Sequence, residues 1–484
     1  MDFCSTRNSA LRISGPLAAL RGPVEDGGLP VPARLPRLTE PEIMMMAAMN
    51  YQKTAETVLS AFLPEELKGT LGPALKEAYG PQFDSPQIAP VRRLRPGSYV
   101  LELWHGPTGT LADIPMQLLA RLLPEQDAPV SLIAATNGSV GIAARNAFSQ
   151  TARARLCLLW PQDAPSRMQQ LALCDAPNEG TLLLPLQETL TVAQTLAADL
   201  SCRDDAALLP ADSNSWLFVA AEIVPYFWAY AQLLKTGDVE MGQPVNFVVP
   251  CGNLGSLLAG CLAKLAGLPV GKLICASGSN HGVTEFCNNG MFSRKRPFCA
   301  TQAPGLDVTV PAQLERLLYV LCQDGSLVAR WMEALHRSGH FSMGDELTKK
   351  LHEAGIQGFW CDDTRASRTM RELWFDQGYL CDPHTGVAMN AQRQYAALTG
   401  DKAPSVVLST ATPFLYASAM LPAMDLDFQG DDFQQLEVME IVGSRTAPAF
   451  LKALKGQAVQ SSPAYSREGA QQALARWLAP AEKE

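Results

Sequence analysis

Paired cysteines are missing from this sequence. Twelve cysteines are scattered along it without a single CxxC, and the one CxxH spacing, Cys381-Asp382-Pro383-His384, has no second half-site. That argues against a structural zinc and against a disulfide framework, and free thiols buried in a reducing cytoplasm are the simpler reading. Basic charge is also scarce. Lys and Arg number 39 against 48 Asp and Glu, for a net charge of -9. The local runs Arg92-Arg93 and Arg294-Lys295-Arg296 read as solvated turns, so neither a nucleic acid nor an anionic membrane is an expected partner. No apolar core follows a basic stretch in residues 1–11, so no signal peptide is read there. The apolar stretch 406–424 is interrupted by Ser, Thr and Pro and falls short of a bilayer span. A cytoplasmic location is the expectation. A Ser-His-Asp elbow, a Walker loop, a metal-ligand helix pair and an internal repeat are absent as well.

What is present is a globular composition: 484 residues, 47% hydrophobic and 18% charged. Such a length exceeds one compact core and suits two or three domains. Residues 1–97 begin rich in Pro and Gly, with a turn at Asp26-Gly27-Gly28, and then become helical. Thr39 caps a helix expected over 39–51, with Pro41 in its first turn. From residue 99 the pattern alternates. Strands are expected at 99–104, 130–135, 155–160 and 181–184, with helices at 114–123, capped by Asp113, and 140–148. A long helix is expected at 216–235. It is followed by strand 245–249, helix 254–266, strand 272–276, an amphipathic helix at 312–322 and strand 405–408. Strand and helix alternating at this spacing imply parallel sheets covered by helices. The division is 1–97 as an N-terminal region, 98–210 as a smaller α/β domain and 211–484 as a larger one.

Four short constellations sit where strands meet helices. Gly252-Asn253-Leu254-Gly255-Ser256 offers backbone N–H groups at a helix start, a cradle for a phosphate. Taken locally, a tight turn that needs glycine for steric reasons alone is slightly the simpler reading. Thr136-Asn137-Gly138-Ser139-Val140-Gly141 reads either as a polar binding loop or as a helix cap. His105, in His105-Gly106-Pro107-Thr108, is more simply a structural hydrogen-bonding residue than an acid or base. Thr410-Ala411-Thr412-Pro413 lies past the C-terminal end of a strand, where open α/β sheets bind ligands, yet taken alone it is a loop.

Taken together and in order, these segments resemble the threonine synthase family. Cys4-Ser5-Thr6-Arg7 and Glu25-Asp26-Gly27-Gly28-Leu29 with Val31-Pro32 resemble its STRG, PDGGL and VP; Leu101 to Thr108 resembles LELFHGPT. Val249-Pro250 with Gly252 to Gly255 resembles VPxGNFGD, Leu314 to Leu318 resembles FERLL, Asp382 to Thr385 resembles DPHT, and Val406 to Ala411 the strand ending in TAHP. The resemblance implies an α/β fold of the fold-type-II pyridoxal-phosphate class, similar to the tryptophan synthase β chain. It implies two open parallel-sheet domains, an N-terminal helical extension, and the family reaction from O-phosphohomoserine to threonine.

The departures fall on reactive positions. The family follows HGPT with a lysine and then an aspartate. Here Asp113 keeps its place and Ala112 stands at the lysine. Alanine has neither the nucleophile that holds the cofactor as an imine nor the base that shuttles protons. Lys264 and Lys272 do not occupy that position. The SGDTG loop has become Asn137-Gly138-Ser139-Val140-Gly141, the carboxylate of GNFGD is Ser256, the histidine of TAHP is Thr412, and the arginine of NSxNWxR is Phe218. The implied cofactor contacts that remain are Ser139 near the ring hydroxyl, Thr410 facing the pyridine nitrogen, and the cradle Gly252, Asn253, Leu254, Gly255 and Ser256. The expectation is a homologue without catalysis that binds a ligand or a partner, the implied ligand being pyridoxal phosphate held noncovalently or another small phosphorylated metabolite. Alternatives are an active enzyme of this fold with a noncovalent cofactor or altered substrate, and a subunit paired with an active paralogue.

Overall fold

The computed structural model describes residues 1–123, 129–149, 151–162, 166–174, 180–202, 208–457 and 463–479. Two open sheets organise it. The larger has six strands in the order Ile356–Trp360, Val270–Ser277, Val245–Pro250, Ser405–Ser409, Ser98–Glu102, Val91–Arg95, parallel except for the last, antiparallel edge. The smaller has four parallel strands in the order Thr181–Leu186, Ala154–Pro161, Val130–Ala135, Leu208–Pro210. The continuous apolar runs read in the sequence are central strands buried on both faces: every residue of Val130–Ala135, Val245–Pro250 and Ser405–Ser409 is buried. Strand Ser98–Glu102, assigned from sequence to the segment 98–210, hydrogen-bonds instead into the six-stranded sheet beside Ser405–Ser409. Register pairing between residues some 300 apart leaves no local mark.

The N-terminal extension is not wholly helical. Phe3–Ser5, Arg12–Ile13 and Pro30–Pro32 form a small antiparallel sheet, too short for any periodicity to show. The helix expected over 39–51 ends at Met46, after a capping box between Thr39 and Glu42, and Asn50 caps a second helix, Tyr51–Phe62. Trp216–Thr236 is apolar enough by length and composition to cross a bilayer, yet 94% of its most apolar window is buried inside the protein. It is hydrophobic all round because it is surrounded, packing against helices Glu40–Met46, Tyr51–Phe62, Asp113–Leu122 and Gly255–Leu265.

A fully buried guanidinium ties these parts together. Arg316 donates to the carbonyls of Pro30 (2.9 Å), Ser213 (2.8 Å) and Asn214 (2.6 Å) and to Gln313 Oε1 (2.9 Å). Burial pulls its pKa down to about 9, against the charges of Glu315 and Asp212. Its neighbour Glu315 receives Arg7 in a two-pronged ion pair (3.0 and 2.9 Å) and the Thr6 hydroxyl at 2.5 Å. The first residues of the chain are thus anchored on helix Leu314–Cys322.

Candidate functional site

Five loops meet at the C-terminal ends of the two sheets. The loop after Ser98–Glu102 runs from His105 to Ala112 and pairs with the loop after Ser405–Ser409: Leu111 N donates to Thr410 O (2.8 Å), Thr412 N to Gly109 O (2.8 Å), and Thr110 bridges Ala411. Asn137 Nδ2 reaches Pro304 O at 3.3 Å. Gly305 N donates to His384 Nε2 at 3.0 Å, and His384 Nδ1 faces Asp382 Oδ1 at 2.7 Å. The His384 ring meets Tyr416 edge-on, centroids 5.1 Å apart, and the Ser139 side chain lies near the Tyr416 hydroxyl. A β-carbon on Gly252 would lie 2.0 Å from Gly305 O, so glycine is required there by close packing. Gly252→Ala is expected to destabilise the protein by roughly 1–3 kcal/mol and to weaken any anion binding at this loop, as measured by thermal melting and titration calorimetry.

The cradle keeps its shape. Helix Gly255–Leu265 begins after Leu254, a non-glycine residue held at φ +67°. Gly255 N is taken by Asn253 Oδ1 (2.8 Å), whereas no acceptor meets the N–H groups of Gly252, Leu254 or Ser256 among the described residues. These donors, at a helix N-terminus, suit an anion. The carboxylate that sequence comparison counted as missing at Ser256 is supplied from elsewhere: Ser256 Oγ donates to Glu222 Oε2 at 2.8 Å. Burial raises the Glu222 pKa to about 7, with the Ser256 hydrogen bond opposing. Glu222 lies mid-helix in an apolar run, and no local pattern marks it.

Asp113 does not cap its helix as expected. It is the first helical residue, with Ala112 as N-cap, and its carboxylate turns back to accept from Thr108 N (2.9 Å), Thr108 Oγ1 (2.8 Å) and Thr110 N (3.3 Å). Burial raises its pKa to about 6. The carboxylate therefore fixes the shape of the loop that ends at Ala112. Thr110 Oγ1 and Thr412 Oγ1, on the two paired loops, are buried without a hydrogen-bond partner. Each costs roughly 1–3 kcal/mol unless a ligand or water meets it.

His105 is hydrogen-bonded on both ring nitrogens. It stacks on Trp104 (4.2 Å) and bridges the Asp84 carboxylate to Glu102 Oε2 (2.9 Å). Burial lowers its pKa, but hydrogen bonds and charge from Asp84 and Glu102 outweigh that and leave it at about 9. A histidine raised above its unfolded value stabilises most below that value. The contribution is therefore complete below about pH 6.5 and lost as pH rises to about 9. Because Asp84 is largely exposed, roughly 1–2 kcal/mol is expected rather than the full linkage. The loss of unfolding free energy between pH 6 and 9.5, read from urea titrations, should be larger by that amount in the wild type than in His105→Asn, which keeps the contributions of the buried carboxylates Asp113 and Glu222.

The profile described as "Threonine synthase N terminus" matches residues 2–79. A threonine synthase of Pseudomonas aeruginosa is 30% identical over 433 residues, which cover 87% of this chain and 90% of that protein. The chain belongs to the threonine synthase family. Yeast threonine synthase superimposes with a TM-score of 0.85 at 25% identity over 99% of this chain and 98% of that one. The pyridoxal-phosphate-bound threonine synthase of Brucella melitensis gives 0.83 at 26% identity over 99% of both chains. Human threonine synthase-like 1 is 29% identical over 84% of this chain, but the match spans only 58% of that protein. The fold is that of threonine synthase and the fold-type-II pyridoxal-phosphate enzymes.

The residues present fit only part of that cofactor. The open N–H groups of the glycine loop suit its phosphate, and the Thr410 and Ser139 hydroxyls lie on loops of the same cleft. The covalent anchor does not fit. The loops 105–112, 136–139, 251–256, 303–306 and 409–412 contain no lysine. Lys264 Nζ is spent on Gly271 O (3.0 Å) and Ala354 O (2.9 Å). Phe218, at the position of the family's arginine, is buried in the core helix and adds no charge to the site.

Proposed function

We propose that this chain is a threonine synthase relative that has lost synthase chemistry and keeps its cleft as a noncovalent binding site for a small phosphorylated molecule, pyridoxal phosphate included. Ala112 carries the proposal. The contacts of Asp113 to Thr108 and Thr110 pin the register of the loop, and the residue just before it has a methyl group where the family has a lysine. A methyl can neither hold the cofactor nor move a proton. Among the described residues of the cleft loops no other amine stands in for it. Both nitrogens of the His384 imidazole are already engaged, by Asp382 and by Gly305 N. The surviving anion donors and the two unpartnered threonine hydroxyls support retained binding.

The test is to add pyridoxal phosphate to the purified protein. Saturation at about 100 times Kd should stabilise the fold by roughly 2.7 kcal/mol, read as a rise in Tm. Borohydride should trap no covalent adduct, and O-phosphohomoserine should yield no threonine. A trapped lysine anywhere on the chain, or threonine formation, would overturn the proposal.

A further inference from the structure

Glu222 lies under the anion cradle with no countercharge. Its Oε2 accepts from Ser256 Oγ, and its two oxygens are 3.3 and 3.6 Å from the point a β-carbon on Gly255 would occupy. The carboxylate therefore rests against the first two residues of helix Gly255–Leu265, the second of which, Ser256, has an open N–H that would meet a phosphate. It is 5% exposed, and no Lys, Arg or His pairs with it among the described residues. One turn along, Tyr226 donates its hydroxyl to Ser256 O at 2.5 Å and is itself close to Cys251 and Cys261; burial keeps that phenol protonated. No charged group from helices Glu40–Met46, Tyr51–Phe62 or Asp113–Leu122, or from Gly255–Leu265 itself, acts on Glu222. A carboxylate and a bound dianion this close, away from bulk water, repel strongly when both are ionised.

We propose that the glycine loop binds a phosphomonoester together with one proton, and that Glu222 holds that proton. This rests on the binding role proposed above. The ligand's negative charge raises the cost of ionising Glu222, so binding draws a proton from solvent whenever the free protein has Glu222 ionised. Glu222 thereby makes the site favour anions at neutral and acidic pH and reject them in alkali. In the family the carboxylate at this place belongs to the loop residue. Here the loop offers a serine, and the acid comes from the core helix.

Titration calorimetry with sulfate, whose own charge is constant over the range, separates protein from ligand protons. Pyridoxal phosphate serves as the phosphomonoester. At pH 8, in two buffers of different ionisation enthalpy, the wild type should take up close to one proton per sulfate bound. That uptake should vanish near pH 5.5, and affinity should fall about tenfold per pH unit on the alkaline side. Glu222→Gln should bind with no proton uptake and a flat pH profile. Ser256→Ala keeps the carboxylate and should retain the uptake, so a misfolded Gln variant would not leave the matter open. Binding by the wild type without proton uptake, or undiminished uptake in Glu222→Gln, overturns the role of Glu222 alone. If neither sulfate nor pyridoxal phosphate binds any variant between pH 5.5 and 9, the proposed binding function fails and this inference falls with it.

Discussion

Ala112→Lys should capture pyridoxal phosphate covalently, trapped by borohydride at close to one per chain, against an expected none in the wild type. The backbone permits the change, since Ala112 has helical angles (φ -60°, ψ -21°) that any L residue adopts. Threonine formation should nevertheless stay at least about 10²-fold below that of a working relative, because general acid–base groups are each worth roughly 10²–10⁴ in rate. The variant would still have Ser139, Ser256, Thr412 and Phe218 where the family has a carboxylate, a carboxylate, a histidine and an arginine. Peptide mapping of the trapped adduct checks the first half, and a coupled assay on O-phosphohomoserine checks the second. If capture occurs at a residue already in the wild type, catalysis was never lost. If the single substitution reaches family rates, the other replacements are neutral and the cleft is one side chain from activity.

The second large effect is on stability. Arg316→Leu should destabilise the protein by about 3–5 kcal/mol, the range for removing one partner of a buried charged network. The main-chain carbonyls of Pro30 and Asn214 lose their Arg316 donor, that of Ser213 is left with Gln313 Nε2 alone (2.6 Å), and buried Asp212 loses the attraction of the Arg316 charge. A lowered urea midpoint with an unchanged slope would show this. An effect under about 1 kcal/mol would mean that water replaces the guanidinium. Because Pro30 is on the N-terminal sheet and Ser213 precedes the core helix, proteolysis near residues 30 and 213 should accelerate first.

Much of this architecture is legible along the chain. Strands such as Val130–Ala135 are bounded where the apolar run meets turn residues, and the glycine turn after Val245–Pro250 marks the cradle without any structure. The replacement proposed at Ala112 is also read in one dimension, because Asp113 keeps the count beside it. Other features left no such trace. The pairing of Ser98–Glu102 with Ser405–Ser409 and the contact of Asn137 with Pro304 join residues far apart in the chain. Asp113 carries the composition of a helix cap, yet the backbone N–H groups of its own loop claim its carboxylate before it can serve as one.

The amino-acid order alone determined the class of fold, the family and the absence of an amine at the start of helix Asp113–Leu122, because each is written in neighbouring residues. Only the tertiary structure decided the electrostatics of the site. A carboxylate counted as lost at Ser256 returns through Glu222, and its readiness to take a proton comes from burial among residues of other elements. Solvent exclusion belongs to the packed molecule, and no short stretch of sequence contains it.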